Sequence, residues 1–143
     1  MTLSATYDDD NIFAKIIRGD MPKVAVYEDE HTLAFMDVFP QTEGHVLVIS
    51  KMAKSVNLLD MPQDALARLM ATTQKVAAAV VTALRPDGFR VVQFNGAPAG
   101  QTVFHTHMHI LPMWEGRSLG RHGADMAPTE HLEALAERIR NAF

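Results

Sequence analysis

The chain has no cysteine. That removes disulfides, thiolate metal sites and cysteine nucleophiles together, and it suits a reducing compartment. Aromatic residues are also few, with one tryptophan and two tyrosines. No apolar run approaches the 18 or so residues that a membrane-spanning helix needs. A formal net charge of −4 argues against broad binding to nucleic acid or to anionic membranes. Met1 to Asp10 turns acidic with no basic-then-apolar pattern, so no signal peptide and a cytoplasmic location are expected. No internal repeat, low-complexity tract or linker divides the 143 residues, and a single α+β domain over residues 1–143 is expected.

What the chain does have is an unusual set of histidines. His105, His107 and His109 alternate with Thr106, Met108 and Ile110, and Pro112 closes the run. Period-two alternation among β-compatible residues predicts a strand. It sets the three imidazoles on one face, about 7 Å between neighbours. A helix would scatter them. Such a row can supply a nucleophile, acid–base groups and hydrogen bonds at neutral pH.

The rest of the pattern builds a frame around this row. Asp10 or Asn11 caps a short helix through Arg18, which Gly19 stops. Residues 24–28 and 32–37 read as a hairpin, and His45 to Ser50 as a buried strand opened by a single polar residue. Asp60 or Met61 caps the longest helix, residues 62–84, with Leu66, Leu69, Thr73, Val76, Val80 and Leu84 on one stripe. Residues 89–94 read as a strand. A turn rich in glycine, residues 95–101, then leads through Thr102 to the histidines. Residues 113–128 form a long irregular loop holding Trp114, Arg117 and Arg121, and Thr129 starts an amphipathic last helix. Residues 1–9 read as a flexible tail.

Two chemistries fit three histidines. One is a zinc ion with a water in its fourth position, but imidazoles must converge within about 2.1 Å of the metal. Three alternate strand positions extend over about 13 Å, which is awkward for one ion. The other is covalent catalysis, in which an imidazole attacks phosphorus while its neighbours manage charge. The preceding glycine turn can face an anion with its amides, and His107 is central. Asp37, at a strand end, reads by itself as a turn-capping carboxylate, with acceptance of ribose hydroxyls as its functional reading. His45 by itself reads as a structural histidine.

The run His105-Thr-His107-Met-His109-Ile-Leu resembles the signature of the histidine triad (HIT) superfamily. The similarity extends through Asn11 to Pro22, Leu33 to Asp37, Gly44 to Lys51, and Ala99 to His109. It implies a mainly antiparallel α+β fold that pairs as a homodimer, acting on purine nucleotides without a cofactor. It also implies residue roles. His107 is the nucleophile, His109 contacts phosphate, His105 orients the nucleophile, and Thr102 stands near the leaving group. Gly100, Gln101 and Asn95 lie on the phosphate side, Asp37 grips the ribose, and Ile12, Phe13, Ile16, Phe35 and Leu47 form the nucleobase pocket. The activity implied is hydrolysis of nucleoside phosphoramidates or related adenylated substrates through a nucleotidyl-histidine. A dinucleoside polyphosphate hydrolase, a non-catalytic nucleotide-binding module and a zinc hydrolase are the alternatives. Three departures stand out, one being that the loop after Pro112 lacks a family pattern that names a substrate. Asn11 and Ala14 occupy positions where many bacterial relatives have zinc-binding cysteines, so no metal is expected. Phe94 stands where many relatives have an asparagine.

Overall fold

A computed structural model of the chain describes residues 2–121 and 125–143. Residues 122–124 of the irregular loop, and Met1 of the tail, lie outside the described residues. The elements are α1 (Ile12–Arg18), β1 (Ala25–Glu28), β2 (Thr32–Met36), β3 (Val46–Ser50), α2 (Gln63–Leu84), β4 (Gly88–Val92), β5 (His107–Met113) and α3 (Thr129–Arg140). The five strands form one sheet in the order β1-β2-β3-β5-β4, and every neighbouring pair is antiparallel. The fold is α+β, as the sequence leads one to expect.

Alternation along the strands sorts side chains to two faces of the sheet. On one face Ala34, Met36, Val46, Val48, Met108 and Ile110 pack against Leu69, Val76 and Val80 of α2 and Leu132, Leu135 and Ile139 of α3. On the other, Leu33, Phe35, Leu47 and Ile49 pack under Phe13 and Ile16 of α1. The register pairs Leu47 with His109 and Ile49 with His107. Cross-strand partners share a face, so both histidines lie on the α1 side. The larger core anchors them from behind. Ile110 is fully buried, and Ile110→Ala is expected to lower unfolding free energy by about 2–5 kcal/mol, read from a denaturant titration.

Local chemistry explains most of the boundaries. The Asn11 side chain accepts from the Ala14 amide, and Gly19 ends α1 in the left-handed region at φ 86°. Helices α2 and α3 both begin directly after a proline, Pro62 and Pro128, with no side-chain cap. Asp60 and Thr129 therefore do not act as the caps that the sequence suggests. The Asp60 carboxylate instead takes the amides of Val56 and Asn57 and the Ser55 hydroxyl. Gly44, just before β3, adopts φ 82°, a left-handed conformation that other residues rarely take.

Three expectations need correction. The histidine strand begins at His107, and His105 lies in a bend before it. The cause is tertiary: the Thr106 amide and hydroxyl bond to Ser55, and Gln101 ties the preceding turn to the Val56 carbonyl. Strand β4 stops at Val92, two residues early, because Gln93 and Asn95 bond to each other through their side chains. The opening residues are tied down as well. Asn57 donates to the Leu3 carbonyl, Arg18 to the Asp9 carbonyl, and Lys54 pairs with the Asp9 carboxylate.

Candidate active site

A cleft of about 520 Å³ opens on the α1 face of the sheet. Ile12, Phe13 and Ile16 form one wall, Phe35 and Leu47 the floor, and Asp37, Thr102, His107 and His109 the polar side. Nine of the sequence-selected residues thus meet in one place. Among the lining residues that the sequence does not single out are Met21, Phe39, Val103 and Met126. Met126 is carried there by the end of the irregular loop, where the Ala127 amide bonds to the Val38 carbonyl.

Four expected residues lie outside this lining. Gln101 is buried, with its side chain bonded to the Gly96 amide and to the carbonyls of Val56 and Val103. Asn95 accepts from the Leu58 amide and exchanges bonds with Gln93. Gly100 sits at φ 108° against the Phe94 ring, which in turn meets His109 edge-on at 5.3 Å between centroids. These three shape the turn behind the cleft. His105 is buried beneath it.

The hydrogen bonds fix the protons on the imidazoles. His107 Nδ1 lies 2.7 Å from the His105 carbonyl. A carbonyl only accepts, so Nδ1 carries the hydrogen and the lone pair of the neutral ring is on Nε2. His109 is the opposite case. The Gln41 amide donates to His45 Nδ1 at 3.1 Å, which places the hydrogen of His45 on Nε2. That nitrogen lies 2.9 Å from His109 Nδ1, which therefore accepts, leaving the His109 hydrogen on Nε2. The two rings are 4.9 Å apart between centroids. A nucleophilic tautomer and a donor tautomer thus stand side by side.

His45, read from the sequence as structural, belongs to this arrangement. It is wholly buried, and its Nε2 is also 3.5 Å from the Asp37 carboxylate. The signal was present in β3, because period two puts residue 45 on the same face as Leu47 and Ile49. Asp37 is itself held by the Phe39 amide at 2.9 Å.

His105 is the third member, and both its nitrogens are engaged. Nε2 donates to the Ser50 carbonyl at 3.1 Å, and Nδ1 accepts from the Tyr7 hydroxyl at 2.6 Å. Burial, with a smaller contribution from neighbouring His107, pushes its pKa down to about 4. The ring is neutral at physiological pH.

The residues at two histidine clusters set what a metal would meet. At the first, Asn11 is a helix cap, Ala14 offers no ligand and Tyr7 occupies His105 Nδ1. At the second, donor atoms of Asp37, His45 and His109 lie within 4.8 Å of one another. A metal on His45 Nε2 requires the hydrogen to move to Nδ1, where the Gln41 N–H already points. Two donors would then face each other.

Comparison with known proteins shows the family. The HIT domain model matches residues 18–116, and the chain belongs to the HIT family. A crystal structure of a Hit-like protein involved in cell-cycle regulation from Bartonella henselae superposes with a TM-score of 0.90 at 48% identity, covering 96% of this chain and 100% of that one. Protein hit of Bacillus subtilis is 39% identical over 133 residues, 90% of each chain. The adenylylsulfatase HINT3 of Arabidopsis thaliana is 38% identical over 125 residues, 83% of this chain and 63% of that protein.

Proposed function

We propose that the protein is a nucleotide hydrolase that splits the α-phosphorus bond of purine nucleoside phosphoramidates, or of related adenylated substrates, through a nucleotidyl-histidine. The observation that carries this reading is the tautomer pair in the cleft, with the His107 lone pair on Nε2 beside the His109 Nε2–H. His107 Nε2 attacks the α-phosphorus and forms a P–N bond as the bond to the leaving group breaks. The His107 Nδ1–H remains on the His105 carbonyl and shares the positive charge that develops on the ring. His109 donates to a phosphoryl oxygen. The leaving group departs on the Thr102 side, takes that hydroxyl's proton, and solvent restores it. Water then cleaves the P–N bond, releasing the nucleoside monophosphate and restoring His107.

The apolar wall of Ile12, Phe13, Ile16, Phe35 and Leu47 suits a planar base, and Asp37 at its polar end suits a ribose diol. The related adenylylsulfatase supports an adenylyl group in this position. The test is release of AMP from adenosine phosphoramidate, adenylylsulfate and dinucleoside polyphosphates; failure to release it from any of them overturns the reading. Asp37→Asn exchanges a charged acceptor for a neutral one and is expected to raise the Kd for AMP about tenfold, near 1.4 kcal/mol. The Kd for the 2′,3′-dideoxy analogue, measured by calorimetry, should not change.

The active unit in this reading is a homodimer. Strand β4 is a sheet edge, exposed along most of its length, and Phe89 and Val91 lie on the same side of the sheet as α2, whose Met70 and Val81 are also exposed. An unpaired apolar edge of this kind is a template for pairing.

A further inference from the structure

We infer that Tyr7 is a positioning residue for the reaction: its hydroxyl holds the His105 ring, and through it the carbonyl that orients the nucleophile. This rests on the proposed role of His107. The chain of contacts is short. Tyr7 Oη meets His105 Nδ1 at 2.6 Å, His105 Nε2 meets the Ser50 carbonyl at 3.1 Å, and the His105 carbonyl meets His107 Nδ1 at 2.7 Å. His105 sits in a bend outside the strand ladder, so ladder bonds do not fix that carbonyl. The ring is instead clamped from both ends, by β3 through Ser50 and by the opening segment through Tyr7.

The donor and acceptor roles agree throughout. The Ser50 carbonyl requires the His105 hydrogen on Nε2, so Nδ1 has only a lone pair to offer. Burial raises the Tyr7 pKa, keeping the phenol protonated as the donor that Nδ1 needs. The Tyr7 ring also lies 5.7 Å from that of His105. Tyr7 itself is stationed by its neighbours. The Asp8 carbonyl accepts from both the amide and the side chain of Asn11, and Asp9 is fixed through Arg18 and Lys54. The opening segment, which the sequence presents as a loose tail, therefore forms the outer jaw of a clamp on the triad.

Tyr7→Phe removes the hydroxyl and keeps the ring. Small displacements of a reacting group cost up to about a hundredfold in rate. The expected result is a ten- to hundredfold slower single-turnover formation of nucleotidyl-histidine, with KM within twofold of the parent and a melting temperature lowered by a few degrees, because His105 Nδ1 loses its partner. Imidazole ¹⁵N spectra give a readout independent of turnover. In Tyr7→Phe the His107 signals should move from a single Nδ1–H tautomer toward a mixture. A Tyr7→Phe rate within twofold of the parent, or an unchanged His107 tautomer, overturns the role of Tyr7. A parent protein that forms no nucleotidyl-histidine overturns the proposed function instead, and the ¹⁵N comparison then decides the clamp by itself.

Discussion

His107→Ala is expected to lose at least about a thousandfold in turnover while still binding AMP with a Kd within a fewfold of the parent. The reason lies in where the bond forms. In the proposed reaction the Nε2 lone pair of His107 is the atom that joins phosphorus, and no neighbour can replace it. His109 presents an N–H toward the cleft, because its Nδ1 faces the Nε2–H of His45 at 2.9 Å. His105 is buried, with both nitrogens engaged. Removing a covalent nucleophile from an otherwise intact site costs several orders of magnitude in kcat. Binding should survive, because the apolar wall and Asp37 remain. Single-turnover kinetics with calorimetry for AMP separate the two effects, and a rate within tenfold of the parent would show that another group attacks.

His45→Leu is the second large effect, and it tests a residue that touches no substrate. His45 is 0% exposed and links the Gln41 amide to His109. Leucine fills much of the volume but takes away one acceptor and one donor. The Gln41 amide and His109 Nδ1 each lose His45 as partner, and a buried polar group deprived of its partner costs about 1–3 kcal/mol. A fall in stability of about 2–4 kcal/mol is therefore expected in a urea titration. Without the His45 donor, the His109 hydrogen is no longer confined to Nε2, and the hydrogen bond to the phosphoryl oxygen weakens. Losing one such donor costs about a hundredfold or more in kcat. If stability falls but kcat does not, His45 is structural only.

The strands show how far the sequence could be read. Alternation in Leu33-Ala-Phe-Met and Val46-Leu-Val-Ile fixes which side chains face α1, and the same period places His107 and His109 among them. The apolar wall and Asp37 were legible as motifs, and they meet in one cleft. His105 was misplaced, because the bend at residues 103–105 depends on bonds to Ser55 and Val56, some fifty residues away. Gln101 and Asn95 have the composition of ligand-binding residues. Their partners, the backbone of residues 56–58, the turn itself and Gln93, appear only when the chain folds. Tyr7 is the extreme case: its partner lies 98 positions away, and an acidic, irregular segment carries no periodicity to reveal it.

In the proposed reaction a nucleotide becomes covalently attached to His107. Adenosine phosphoramidate can be mixed with the protein, quenched within one turnover under alkaline conditions that preserve phosphoramidate bonds, and followed by intact mass and peptide mapping. The expected result is one adenylyl group per chain on the peptide containing residues 105–109, placed on His107 by fragmentation and absent from His107→Ala. Steady release of AMP with no adduct at any time point, or an adduct on His109 or His105, would contradict it.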